Sequence, residues 1–341
     1  MNSGWTRADS PFHEGEKAVQ TRMGVRERIE TLGRRMVREY LPDQHRAFYR
    51  MLPFLLVGTT DEQGWPWVSL LAGQPGFIQS PDAQTLEISA QPLFGSPLDS
   101  RLQVGEDIGL LGILPENRRR NRSTGKVMAT DGNGFSVAIA QTFGNCPQYI
   151  QTREIEILPD VSNPQRERPI EQGDRLDDKA KALIESSDTF FIATAYKDRS
   201  AGEDNPAFGA DVSHRGGKPG FVRVESDRTV IFPDFTGNFI FNTVGNILAN
   251  PKAGFLFIDF DTQDLLYLTG RAEIVWEGPE KEAFLGAERF IRTQIESWRR
   301  VECSLPLRFK FGEYSPNLKA TGSWEQMDAS LAIGIEGCGA S

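Results

Sequence analysis

The feature that most constrains this chain is that it repeats itself. Val68, Ser69, Gly73, Pro75, Gly76, Phe77 and Thr85 recur without gaps, 144 residues later, as Val212, Ser213, Gly217, Pro219, Gly220, Phe221 and Thr229. Average composition gives roughly one or two such identities by chance in a window of this size. Downstream, Ile108-Gly109-Leu110-Leu111-Gly112-Ile113 parallels Ala253-Gly254-Phe255-Leu256-Phe257-Ile258, and Thr124-Gly125-Lys126 parallels Thr269-Gly270-Arg271. Upstream, Phe54-Leu55-Leu56-Val57-Gly58-Thr59 resembles Phe190-Phe191-Ile192-Ala193-Thr194-Ala195. Blocks that recur in one order at a fixed long period imply two copies of one module. With 341 residues, 39% of them hydrophobic, the chain is long enough for two cores.

Each copy reads as short strands between turns. Apolar or alternating runs lie at 54–59, 67–71, 85–90, 108–114 and 135–140, then at 189–195, 220–224, 229–232, 253–258 and 265–276. Helices punctuate them. Val25, Ile29, Leu32, Met36, Val37 and Tyr40 place an amphipathic helix over 24–40, ahead of Pro42. A second helix is expected at 174–186 with Asp174 as its cap, and a third at 279–300, where Phe284, Ala287, Phe290, Ile291, Ile295 and Trp298 share one helical face. Too few helices separate the strands for a doubly wound sheet, so the expected class is mainly β with peripheral α-helices. The expected organisation is a helical leader at 1–45, one module at 46–160, a second at 161–330 and a tail at 331–341.

Charge and composition remove several functions. A net charge of −9 and a pI near 5.1 argue against nucleic-acid binding, which needs clustered cationic excess. The first twenty residues carry Asp9, His13, Glu14 and Glu16 and no apolar signal region, and no stretch approaches a membrane span, so a cytoplasmic protein is expected. Cys146, Cys303 and Cys338 show no disulfide or zinc spacing, and His13, His45 and His214 are too dispersed for a metal centre. Neither a Walker motif nor GxGxxG is present.

Certain motifs are more specific in combination. They are Phe12-His13-Glu14-Gly15-Glu16, Ser69 to Phe77, Gly144 to Gln151, Asp211 to Phe221, and Phe241-Asn242-Thr243 through Asn250-Pro251 into Gly254-Phe255-Leu256-Phe257. In this order they resemble two-copy members of the pyridoxamine 5′-phosphate oxidase-like, FMN-binding split-barrel superfamily, over residues 10–320. The resemblance implies a six-stranded split β-barrel per module, with FMN in a cleft between barrels. Two modules in one chain imply an internal pseudo-dimer, with homodimerisation of whole chains still open. The Arg- and Trp-containing end of the oxidase proper has no counterpart around Leu305-Pro306-Leu307-Arg308, so vitamin B6 is not taken as the substrate. The function implied is an FMN-dependent oxidoreductase with a small-molecule electron donor or substrate. The same fold with F420 or haem, and flavin storage or electron transfer without turnover, stay open.

The copies differ where a phosphate would sit. Copy 2 has Ser213-His214-Arg215-Gly216-Gly217-Lys218 against Ser69-Leu70-Leu71-Ala72-Gly73-Gln74, Thr236-Gly237-Asn238 against Pro92-Leu93-Phe94, and Asn242-Thr243 against Leu98-Asp99. The resemblance places Asn242 and Thr243 at phosphate-contacting positions, where relatives often carry Arg or Lys. Arginines from copy 1 are expected to supply the missing charge, with Arg119 and Arg122 as candidates from the run Arg118–Arg122. Alternation sends Arg119 and Asn121 to one strand face and Arg118, Arg120 and Arg122 to the other. Trp67 and Ser69 complete the cofactor candidates. The plain alternatives are a solvated basic loop at Arg118–Arg122, a structural His214, a core Trp67, and a small buried thiol at Cys146. No acid or base is nominated.

Overall fold

The protein is described here by a computed structural model covering residues 4–98, 102–197 and 205–338. Three helices come first, α1 (Glu14–Arg22), α2 (Arg26–Met36) and α3 (Asp43–Met51). The first module then runs through β1 (Phe54–Thr60), β2 (Pro66–Ala72), β3 (Ile78–Gln79), β4 (Thr85–Ile88), β5 (Asp107–Leu114), β6 (Arg119–Thr130) and β7 (Phe135–Gly144). A connector carries β8 (Arg153–Ile157) and β9 (Ile170–Gly173) to α4 (Asp178–Ser186). The second module comprises β10 (Thr189–Tyr196), β11 (Gly209–Gly216), β12 (Arg223–Ser226), β13 (Thr229–Phe235), α5 (Asn242–Ala249), β14 (Lys252–Ile258), β15 (Leu265–Val275), α6 (Pro279–Ala283) and β16 (Ala287–Val301). Then β17 (Leu307–Phe311) pairs back onto β8, and α7 (Trp324–Cys338) follows.

The duplication is visible in strand order. One sheet runs β2-β1-β5-β6-β7-β4-β3 and the other β11-β10-β14-β15-β16-β13-β12, the same path strand for strand. Even an irregularity is repeated. The β6–β7 ladder skips Ala140 opposite Thr124 and Gly125, and the β15–β16 ladder skips Glu296 opposite Thr269 and Gly270. A bulge placed alike in both sheets bends each at the same point.

Strands buried on both faces explain the near-continuous apolar runs. Leu55 and Val57 of β1 face the core of the first barrel, while Phe54 and Leu56 face a shared core between barrels. Phe190 and Ile192 of β10 face the second barrel's core, and Phe191 and Ala193 the shared one. Two glycines at equivalent positions let the barrels meet. A Cβ on Gly109 of β5 would lie 2.8 Å from the Ala210 carbonyl oxygen, and one on Gly254 of β14 would lie 2.1 Å from that of Pro66. Each buried large apolar side chain in such a core contributes about 1.5–3 kcal/mol, so the two modules form one body by hydrophobic contact.

Three helix expectations change. The leader helix α2 ends at Met36 because Val37 is extended and Arg38 bridges to Thr142. The cap of α4 is Asp177, which accepts from the Ala180 N–H at 2.7 Å, whereas Asp174 pairs with Arg228. The helix expected at 279–300 is confined to Pro279–Ala283, and the rest is the 15-residue strand β16. The bulge at Glu296 accounts for the misreading: Ile291, Thr293 and Ile295 alternate as a strand should, then the skipped residue shifts Trp298 into phase. The spacing of Ile291, Ile295 and Trp298 thereby imitates a helical stripe.

Candidate functional site

Because the two barrels share one strand order and meet reciprocally, β5 and β6 on β11 and β14 and β15 on β2, the molecule has two equivalent cleft positions. One is open. It is a cavity of about 820 Å³, counting its mouth, into which β6, β11, the segment after β7 and the start of α5 all project. Strand alternation brings Arg120 and Arg122 of β6 to the same wall. Opposite them, Ser213, His214 and Arg215 come from β11, and Asn242 and Thr243 from the first turn of α5.

The three arginines are not equally satisfied. Arg122 is buried and donates to Asp211 Oδ2 at 2.5 Å, to the Asn242 amide oxygen at 2.7 Å, to the Val212 carbonyl at 3.1 Å, and to Ser213. Arg215 lies 3.3 Å from Asp234. Arg120 donates to the Cys146 carbonyl at 2.7 Å and has no carboxylate partner among the described residues. Burial first, then repulsion from Arg122 and Arg215, pushes its pKa down to about 9. Like charges crowd here with too few anions to balance them.

His214 is held neutral, since burial first and the neighbouring Arg120 and Arg215 next keep its pKa well below the usual imidazole range. Its Nδ1 lies 3.4 Å from Arg120 Nη1, and its buried Nε2 has no hydrogen-bond partner among the described residues.

The N-terminal helix backs the cavity wall from behind, through Asn242. His13 caps α1 by accepting from the Gly15 N–H at 3.1 Å, while the Glu16 carboxylate accepts from the His13 N–H at 2.9 Å, a reciprocal capping box. Helices α1 and α5 touch backbone to backbone: a Cβ on Gly15 would lie 2.2 Å from the Gly245 carbonyl oxygen. That approach delivers Glu16 to Asn242, behind the cavity wall, where it accepts from the Asn242 amide N–H. A chain of buried groups results, Glu16 to Asn242 to Arg122 to Asp211. Burial, with Asp211 as a further repelling charge, raises the Glu16 pKa to about 8. His13 Nε2 lies 2.7 Å from the Asn246 side-chain oxygen, and burial lowers its pKa to about 4.

Of the sequence candidates, Ser213, His214, Arg215, Asn238, Asn242, Thr243 and Arg122 line this cavity together. Thr236 sits at its rim, bonded to Glu288. Lys218 points away, donating to the Thr321 carbonyl at 2.6 Å. Arg119 occupies the opposite face of β6, its guanidinium over the Phe48 ring at 5.0 Å. Trp67 donates to Asp61 at 3.0 Å, outside the cavity. Cys146 lines it. The residues missed were Arg120, Asp211, Asn145, Tyr149 and Glu16. The strand parity that selects Arg122 also selects Arg120, and Glu16 stands in the Phe12–Glu16 motif.

Ser69 belongs to the other cleft, which is filled. It is fully buried and 3.0 Å from Ser96 Oγ. The register places Tyr267 opposite Leu256 as Arg122 stands opposite Leu111, so a buried tyrosine replaces the arginine, with Ser96 beside its hydroxyl. Leu98, the counterpart of Asn242, lies in the first barrel's core, and Asp99 falls outside the described residues. The connector and β16 seal the position: Phe94 N–H donates to Pro164 and Gln165 to Pro92 across the connector, and Arg299 of β16 donates to Gly95. No cluster of three or more metal-ligating side chains occurs among the described residues. No helix among them is long and apolar enough to cross a membrane.

Residues 176–302 match the sequence family described as pyridoxamine 5′-phosphate oxidase. A putative pyridoxamine 5′-phosphate oxidase from Lactobacillus delbrueckii is 14% identical with a TM-score of 0.29, covering 37% of this chain and 94% of its own. HupZ from Group A Streptococcus is 20% identical with a TM-score of 0.28, covering 36% and 98%. A protein related to general stress protein 26, from Clostridium acetobutylicum, is 15% identical with a TM-score of 0.24, covering 45% and 99%. No curated protein matches the chain. The second module, residues 176–302, thus matches the pyridoxamine 5′-phosphate oxidase family, and the first module repeats its strand order from β1 to β7.

Proposed function

We propose that the open cleft binds FMN and that the protein is an FMN-dependent oxidoreductase. The observation that carries this reading is Arg120: a half-buried guanidinium without a carboxylate, facing a cavity beside Arg122 and Arg215. A dianionic phosphate is the group such a cluster fits, because it would relieve the repulsion among the arginines and accept their N–H groups. Arg120, Arg215 and Thr243 are the side chains free to hold it, aided by the positive end of α5. The amide of Asn242 is already used on both sides, by Arg122 and Glu16, so it orients Arg122 and contributes no side-chain contact to the phosphate.

A bound flavin supplies hydride or electron transfer at its isoalloxazine ring. The chain's own part is placement and exclusion of water, with neutral His214 presenting an imidazole to the cavity wall. Both walls come from one polypeptide, so the site does not need a second chain.

The test is the absorbance spectrum of the purified protein, with mass analysis of what it releases. FMN bleached by NADH or NADPH supports the oxidoreductase. FMN that no donor reduces supports storage or electron carriage, and released F420 or haem keeps the fold and replaces the cofactor. Arg120→Gln and Arg215→Gln should each weaken FMN by about 1–3 kcal/mol and riboflavin far less. Equal losses for both flavins would remove the phosphate from this cluster.

A further inference from the structure

Strand β6 has a second polar face. On the side away from the flavin cleft, Arg119 and Asn121 of β6 and His45 and Phe48 of α3 line an open groove of about 650 Å³, and Arg120 and Asn145 are shared with the cleft. None of the residues lining it is acidic, although the chain carries nine more negative than positive charges. Arg119 is exposed and stacks over Phe48 at 5.0 Å, which holds its guanidinium across the groove.

Asn121 is the more telling residue. It is 3% exposed, and its amide oxygen accepts from Thr142 Oγ1 at 3.2 Å. Its amide nitrogen is buried at the groove with no hydrogen-bond partner among the described residues. A buried donor left unmade costs about 1–3 kcal/mol, so one retained at the base of a cationic groove is a donor kept for a ligand. His45, 3.3 Å from Thr142 Oγ1 through Nδ1, is pushed down to about 4 by burial first and then by Arg38 and Arg119, a second sign of positive charge without an anion.

We propose that this groove is a second anion subsite, binding a phosphoryl group distinct from the flavin phosphate, through Arg119, His45 and the Asn121 amide. The inference rests on the flavin reading only for the identity of its neighbour. Two sources share the chemistry: the distal phosphate of a dinucleotide flavin reaching past Arg120, and a separate nucleotide bound beside FMN.

The experiment uses the full chain, titrated with ADP in the FMN-loaded form and separately with FAD and FMN, comparing wild type with Arg119→Gln and His45→Gln. Arg119 is exposed, so its replacement leaves the core intact, which thermal unfolding checks. ADP binding to FMN-loaded protein that weakens at least tenfold in Arg119→Gln, with FMN affinity within twofold, establishes a separate nucleotide. A tenfold loss confined to FAD establishes the dinucleotide source. The proposal is overturned if ADP displaces FMN, or if neither ADP nor FAD responds to either variant. If FMN fails to bind at all, the flavin reading falls alone, because ADP titration of the flavin-free chain still reports whether Arg119→Gln weakens binding and Arg215→Gln does not.

Discussion

The two clefts differ by what one gene fusion permits. In a dimer of single modules, symmetry makes both clefts identical, so a substitution that fills one fills the other. Here Arg122 and Tyr267 occupy the same register position, yet one joins a charged network at an open cavity and the other sits in a closed apolar seam. Ser213 lines the cavity and accepts from Arg122, while Ser69 bonds to Ser96 under the connector. The comparison teaches that tandem duplication frees one cleft to become scaffold.

The largest expected effect falls on Arg122. Arg122→Ala strands Asp211 and Glu16 in the interior, and should destabilise by about 3–5 kcal/mol in urea unfolding. Tyr267→Phe at the matching position should cost under about 1.5 kcal/mol, as a near-isosteric change. Comparable losses at both positions would break the contrast between network and seam.

A pH profile sharpens it next. Glu16, raised to about 8, keeps in the fold a proton that the unfolded chain releases near 4.5. Its contribution is therefore complete below pH 4.5 and is lost as pH rises toward 8. His13, lowered to about 4, works oppositely, its contribution being present above 6.5 and lost as pH falls toward 4. Glu16→Gln should flatten the alkaline limb by on the order of 2 kcal/mol, less than the full shift because the charge is shared along the network, and leave the acid limb intact. An unchanged alkaline limb would place the proton elsewhere.

Stoichiometry follows. Flavin absorbance against protein concentration should give one flavin per chain, and two would mean that the connector does not close the second cleft. The smallest effect separates the serines: Ser69→Ala should cost about 1 kcal/mol of stability with FMN affinity unchanged, while Ser213→Ala should weaken FMN through the loosened Arg122. Loss of FMN binding in Ser69→Ala would reopen the filled site.

Much of the fold was legible because duplication and two-faced apolar strands are local patterns. Gly109 and Gly254 recur at the same place in both copies, but that they let the barrels meet is shown only by the packing. What escaped was whatever a bulge or a distant partner decides. Glu296 hid strand β16 behind a helical spacing, and nothing near Glu16 in sequence points to Asn242, 226 residues away. Within the site, parity along β6 was readable, and choosing Arg119 together with Arg122 mixed its two faces; Arg120 is the residue that shares a wall with Arg122.

The pairing of β8 with β17 bears on how the molecule is made. Arg153–Ile157 waits for Leu307–Phe311, and Glu16 waits for Asn242–Ala249, so the cleft cannot close until the second module is well advanced, nor the seam until nearly the whole chain has left the ribosome. Such long-range closure is slow, and partly folded chains expose apolar surface meanwhile. Until its sister emerges, the first barrel carries Phe54, Leu56, Leu70 and Leu111 bare on one side, a sticky face that nascent-chain chaperones are suited to shield.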